Sequence, residues 1–474
     1  MSFQARLNLM TTQFQWSHIS LVALFLILTA CEQHSTYYIS TTGDDANSGL
    51  SENEAWKTFQ HTTTAIKPGD SVFIKAGHYT NNHLYLSSFS GTQQSPITFI
   101  GYYQTPGDLF SSNFDPHQVM TPQLPNTSEI PTLDGEFKND HYSGIEINNS
   151  HYIHLKNIHV TGYRSNISLY MAEHNLLQNI IVSKANDSLA YNGFGLTLNR
   201  SNYNTLQYIR AISNQGENIS FKLSNYNLLE NCQSHGGLPG DDKGENDGTD
   251  YYIVIAQSHH NTIRKCLAQR HSSIEHGGHG IGIKAKGVDS YQNTIIDSVV
   301  RGMSKGFYVN HQQTFDNEFI NCAAYGDDTI AGLISNGFIV RDGAHDNTFR
   351  GCEGLQLDHS IAFTDSVEDG GLGQEQNNNL FSDCEFSQTL QSIIWFGNSA
   401  HNNVFDNITA NSAPRLVSFS NNPHHDWSNN ILKDSQLNNV NTLGLYPTIN
   451  TKESALKIHN LSINIHSQSA MIPH

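Results

Sequence analysis

Asn317-Glu318-Phe319-Ile320-Asn321-Cys322, Asn347-Thr348-Phe349-Arg350-Gly351-Cys352 and Asn379-Leu380-Phe381-Ser382-Asp383-Cys384 are copies of one pattern. The pattern recurs with its asparagine at 175, 204, 227, 261, 293, 317, 347, 379, 403 and 430. Two residues on stands a large apolar side chain, Leu177 in the first copy and Leu432 in the last. Five residues on stands isoleucine, cysteine or serine, with cysteine at 232, 266, 322, 352 and 384. Spacings between copies run from 23 to 34 residues. A fixed local pattern at unequal spacing means a constant turn and strand joined by variable loops, and no helical apolar period runs through these segments.

Such a unit is too small to bury its own apolar face, so neighbours must stack. The fold class is therefore all-β, a single-stranded parallel β-helix of about 10–12 coils with an N-terminal cap, its rod on the order of 50 Å long. A β-sandwich would space its strands more closely and evenly. The asparagines are expected at left-handed corners, with their amides stacked into ladders. The five cysteines at one repeat position should stack inside the rod as small apolar fillers. Side chains on successive parallel strands point the same way, so free thiols are expected.

Residues 1–30 read as a targeting segment, with Arg6 ahead of the apolar run Leu21 to Ala30. Leu28-Thr29-Ala30-Cys31 looks like a bacterial lipobox, with Cys31 as the lipidated first mature residue. The run has the length of a signal h-region rather than a membrane span, and signal cleavage without lipid remains open. Export is expected, to an outer membrane, periplasm or cell surface or as a secreted protein, with membrane contact only through a lipid anchor. The formal net charge of −18 argues against nucleic-acid binding. The chain from 31 to 474 reads as one β-helix domain and a monomer: cap and first coils over 37–104, an inserted loop projecting from the rod over 105–130, main coils over 131–440, and a capping or trailing tail over 441–474.

In the opening segment, Tyr37-Tyr38-Ile39-Ser40 and Gly43-Asp44-Asp45-Ala46-Asn47-Ser48-Gly49 lead to Pro68-Gly69-Asp70-Ser71-Val72-Phe73-Ile74. The breakers give strand, turn, short helix, Pro-Gly turn and strand. This segment resembles the N-terminus of right-handed parallel β-helix proteins that include polysaccharide lyase family nine, the pectate and exopolygalacturonate lyases. The resemblance implies a right-handed solenoid and an acidic polysaccharide or oligosaccharide as partner.

A second strand precedes each asparagine, as in Gly280-Ile281-Gly282-Ile283-Lys284, Gly306-Phe307-Tyr308-Val309-Asn310 and Gly337-Phe338-Ile339-Val340-Arg341. Alternation turns Asn199, Lys222, Lys284, Asn310 and Arg341 outward in one row, with His311 and Asp342 at its end. A cationic row on an acidic chain is a candidate polyanion track, and an ordinary solvated face is the alternative. Asp241, Asp242, Glu245, Asn246, Asp247 and Asp250 supply hard oxygen ligands on a tight loop, which suits Ca²⁺. Asn246-Asp247-Gly248-Thr249-Asp250 is similar to the Asp-Asp-x-x-Asp calcium motif of family nine, and Lys284 to that family's catalytic lysine. The resemblance implies Ca²⁺ at Asp242, Asn246, Asp247 and Asp250. Lys284 would be the base of a β-elimination, with His311 and Arg341 assisting. Lys222, Asn310, His276, His279 and Tyr308 would contact substrate, with His276 and His279 as second candidates for the base. His271, Glu275, His276 and His279 also permit a transition-metal site. A C5-epimerase shares the first half of this mechanism. Asp241 or Asp242 paired with Asp247 or Asp250 would suit a hydrolase. A glycan-binding surface lipoprotein is the non-enzymatic reading.

Overall fold

The computed structural model describes residues 34–109, 114–118, 122–138, 142–186, 193–236, 249–270, 278–326, 334–365, 374–420, 425–444 and 456–464. From Thr36 onward the chain is one compact unit, a right-handed parallel β-helix in which each strand pairs in parallel with its equivalents one coil away. Each coil has three faces. The first holds the strands ahead of the asparagines, among them Glu217–Lys222, Tyr251–Ala256, His279–Lys284, Lys305–Asn310 and Asn336–Arg341. The second and third begin as single bent strands such as Leu176–Ser183. In later coils they split into pairs such as Thr294–Ile296 and Val299–Arg301. The opening segment follows the expected order, with strands Thr36–Ile39 and Ser71–Lys75 paired and a short helix Thr62–Ala65 between them.

The ladder forms at every step from Asn175 to Asn430, each Nδ2 donating to the next coil's Oδ1 at 2.9–3.2 Å. The same Oδ1 also takes the preceding asparagine's backbone N–H. Ile153 stands in the asparagine's place one coil earlier, its N–H donating to Asn175 Oδ1 at 2.8 Å. The left-handed corner is not at the asparagine. It falls one residue before, at His174, Tyr203, Tyr226, His260, Gln292 and Asp316, and again four residues after, at Asn179, Asn231, Lys265 and Asp297. Beside the corner, the ladder asparagine is free to aim its amide along the rod axis.

Cys232, Cys266, Cys322, Cys352 and Cys384 all lie in the core, at most 1% exposed. Free thiols hold for Cys322, Cys352 and Cys384. Cys232 and Cys266 instead form a disulfide. They are direct register partners with Cα atoms 4.5 Å apart, so parallel side chains still lie within bridging reach. The described residues of the inserted segment that contact the rod lie against its side rather than projecting from it. Asn157 Nδ2 donates to Leu109 O at 3.1 Å, Arg301 Nη2 to His117 O at 2.8 Å and Arg210 Nη2 to Gln123 O at 2.7 Å. Phe114 covers Leu267, Val299 and Ala323, outward-facing apolar residues that would otherwise meet water. The coils also continue past the last asparagine, since Leu456–His459 and Ser462–Asn464 add another parallel winding.

Asn293→Ala should lower stability by roughly 2–4 kcal/mol in urea titrations. It removes the acceptor for Asn261 N and Nδ2 and the donor to Ser258 O, all inside the rod. Alkylation of the denatured, unreduced protein should label Cys322, Cys352 and Cys384. Cys232 and Cys266 should label only after reduction, read by peptide mass.

Candidate functional site

The first face carries the predicted row in unbroken register. Asn199 pairs with Lys222, Lys222 with Ala256, Ala256 with Lys284, Lys284 with Asn310, and Asn310 with Arg341. A cavity of about 280 Å³ opens on this face. Lys222, Lys284, Asn310 and His311 line it together, with Glu217, Tyr251, Gln257 and Lys286. Lys284 Nζ stands 3.6 Å over the centre of the Tyr251 ring, an ammonium held on an aromatic face. Asn310 is 7% exposed, and its buried Oδ1 has no hydrogen-bond partner among the described residues.

Behind Tyr251 lies an arrangement the sequence reading missed. His279 stacks on Tyr251 at 4.6 Å and meets the Tyr308 edge at 5.4 Å. Its Nδ1 is 3.0 Å from Asp250 Oδ1 and its Nε2 is 2.8 Å from Lys305 Nζ. A carboxylate can only accept and an ammonium can only donate, so His279 is neutral, with its proton on Nδ1. Burial holds the ring below the ordinary histidine range, and the charges of Lys305 and Arg341 add to this against the pull of Asp250. For Asp250, partial desolvation pushes the carboxyl up. The hydrogen bond from His279 and the charges of Lys284 and Lys305 outweigh it, and the carboxyl stays below the usual carboxylate range. Ile281 and Ile283 point into the core while His279 faces outward, so the alternation breaks at Gly280. A Cβ there would lie 2.5 Å from Gly306 O.

Tyr308 and Arg341 sit differently from the expectation. Tyr308 is 1% exposed because its ring folds onto Gly282 of the preceding coil, where any Cβ would collide with it. Its face is closed to a sugar, and burial drives its phenol well above the ordinary tyrosine range. Arg341 is 8% exposed and not in the cavity wall. Asp342, 1% exposed, lies between Arg341 and His311, its Oδ2 4.0 Å from Arg341 Nη2 and from His311 Nδ1. Asp242, Asn246, Asp247, His276 and Cys31 lie outside the described residues. Among the described residues no three His, Cys, Asp or Glu side chains cluster as a metal site. Asp250, ionised and three-fifths exposed at its side chain, fits the part of a calcium ligand.

Residues 37–347 match the family described as Pel9A-like, right handed beta helix region. The match covers more than half of the chain, and the chain belongs to this family. A stretch of 79 residues is 35% identical to Lacto-N-biosidase of Bifidobacterium longum subsp. longum; it is 16% of this chain and 5% of that protein. Among solved structures, the catalytic domain of GH87 alpha-1,3-glucanase in complex with tetrasaccharides aligns with 92% of this chain and 69% of its own, at 11% identity and a TM-score of 0.51. Pectate lyase Pel9A aligns with 83% of this chain and 79% of its own, at 16% identity and a TM-score of 0.37. At 11% identity, the glucanase match shows a shared fold alone.

The His279 assignment predicts a titration. Nuclear magnetic resonance of histidine-labelled protein should place its pKa below the ordinary range, and Lys305→Met should raise it by removing a neighbouring cation. Because the folded value is depressed, His279 contributes stability above the ordinary unfolded value near 6.5, and that stability is lost as pH falls through the folded value.

Proposed function

We propose that this chain is a carbohydrate-active enzyme: an exported polysaccharide lyase that cleaves a uronic-acid-containing glycan by β-elimination. The observation that carries the reading is the placement of Lys284 and Lys222 in one cavity with Asn310 and His311, the Lys284 ammonium fixed over Tyr251. Membership of the Pel9A-like family supports it, Pel9A being a pectate lyase by name.

The proton on C5 of a uronic acid lies α to its carboxylate. Lys284, once deprotonated, takes that proton. The electron pair forms the C4–C5 double bond, the C4–O glycosidic bond breaks, and the departing oxygen takes up a proton. Lys222 supplies positive charge for the substrate carboxylate and for the negative charge that builds up in the transition state. Asn310 and His311 orient the sugar, with Arg341 and Asp342 holding His311 in place. Asp242, Asn246, Asp247 and Asp250 would hold Ca²⁺, which when bound adds charge opposite the uronate carboxylate. His279 keeps Asp250 and Tyr251 in position from behind.

The test is the ultraviolet absorbance of an unsaturated product, followed over pectate, alginate and glycosaminoglycans with and without EDTA. Absorbance should rise on at least one of these, fall with EDTA, and fall about a thousandfold in Lys284→Ala. A lysine base works only when deprotonated, so the wild-type rate should climb toward alkaline pH. Full activity in Lys284→Ala would overturn the assignment. New reducing ends without absorbance would indicate hydrolysis, with Glu217 in the cavity wall and Asp250 beside Tyr251 as the carboxylates. Export through a lipid on Cys31 belongs to the same proposal and is read from the mass of the mature N-terminal peptide.

A further inference from the structure

The outward row does not stay open along its length. On the C-terminal side of Lys284 the first face is covered: Tyr308 and Ile339 are 1% exposed, Ala362 0%, Asn310 7% and Arg341 8%. On the N-terminal side it opens. Lys222 is exposed, and Asn199 and Tyr170 follow it in register, both half-buried. In the neighbouring outward file Thr197, Ser168 and Glu146 are half-buried, the Glu146 carboxylate accepting from Asn148 Nδ2 at 3.4 Å, and Tyr85 beyond it is 44% exposed. The open part is a pleated surface of amides, hydroxyls, two tyrosine rings and, next to Tyr85, the one carboxylate of Glu146 that Asn148 engages, continuous with the Lys284 cavity.

That chemistry selects its occupant. Amides and hydroxyls at strand spacing offer donors and acceptors to ring hydroxyls, and tyrosine faces take the apolar side of a pyranose. An apolar protein surface would leave these groups without partners. We infer that an oligosaccharide chain lies along the rod axis from the Lys284 cavity toward the N-terminal end, with Tyr170 as a stacking platform. Tyr170 is four strand steps from Lys284 through Ala256, Lys222 and Asn199, a span of about 19 Å. A pyranose unit covers close to one step, so about five units reach from the cavity to the ring. The covered face beyond Asn310 leaves the reacting unit near one end of the bound chain. The inference rests on the lyase reading for the identity of that unit.

The experiment uses size-fractionated oligogalacturonates and oligoalginates, dimer to octamer. Binding is measured by calorimetry to the Lys284→Ala protein, and turnover with the wild type. Affinity should rise with each unit to about five or six and then level. Adding Tyr170→Ala should flatten that dependence and weaken hexamer binding roughly fivefold to tenfold, with circular dichroism showing the coil intact. Tyr85→Ala should act in the same direction on the longest chains. Affinity that ignores length, a Tyr170→Ala loss equal at every length, or no Tyr170-dependent binding in either series would overturn the track. Length-dependent binding without turnover by the wild type would remove the lyase reading and keep the track. Turnover indifferent to Tyr170→Ala would do the reverse.

Discussion

Strand register between coils is the constraint on which the rest of this molecule depends. Each ladder asparagine donates its amide to the next coil, and its own oxygen receives two N–H groups from the coil before. Because these groups are inside the rod, a slipped coil would leave several buried donors and acceptors unmade, at about 1–3 kcal/mol each. A slip of one residue would also send the core side chains outward. Residues 23 to 34 positions apart in sequence are thereby held as neighbours, whatever the connecting loops contain.

Register turns chain separation into site geometry. Lys222 and Lys284 are two strand steps apart because only Ala256 stands between them, and Ala256, being small, leaves the space that becomes cavity. The same logic closes the other side. Gly282 has no side chain, so the Tyr308 ring of the next coil folds over it and buries itself. One missing side chain opens the face and another lets it be covered. The polarity of the site along the rod follows from where these two residues fall.

Much of this was legible in the sequence, and the part that was not has a common cause. The asparagine ladder, the cysteine file and the outward row through Lys284 are set by local period and stacking, both visible in the order of residues. Exposure of the row was not, since Tyr308 and Arg341 are buried by what neighbouring coils and loops supply. His279 was placed among candidate substrate contacts, yet its partners Asp250 and Lys305 lie on adjacent coils, and the broken alternation at Gly280 hides its direction. Many left-handed corners fall on Tyr, His, Gln and Lys, which carry no turn signal, beside others on Asn and Asp. The Cys232–Cys266 bond depended on a Cα separation that spacing does not reveal. Asp242, Asn246, Asp247 and His276 are outside the described residues, so the calcium reading rests on Asp250 and the sequence.

For a chain of net charge −18, the proposed acidic glycan requires cations that are kept local. Lys222, Lys284 and Lys286 face one cavity whose walls, among the described residues, include a single carboxylate, Glu217. The nearby acids are each engaged: Asp250 with His279, and Asp342 between His311 and Arg341. At physiological ionic strength the remaining acidic surface is screened beyond about 8 Å, while charges on a cavity wall act on a bound carboxylate at contact distance. The overall charge therefore slows the approach of an anionic chain at low salt without deciding whether it stays. On the proposed reading, retention is a matter of Lys222 and Lys284, which the coil register sets two strand steps apart on one cavity, and of Lys286 beside them.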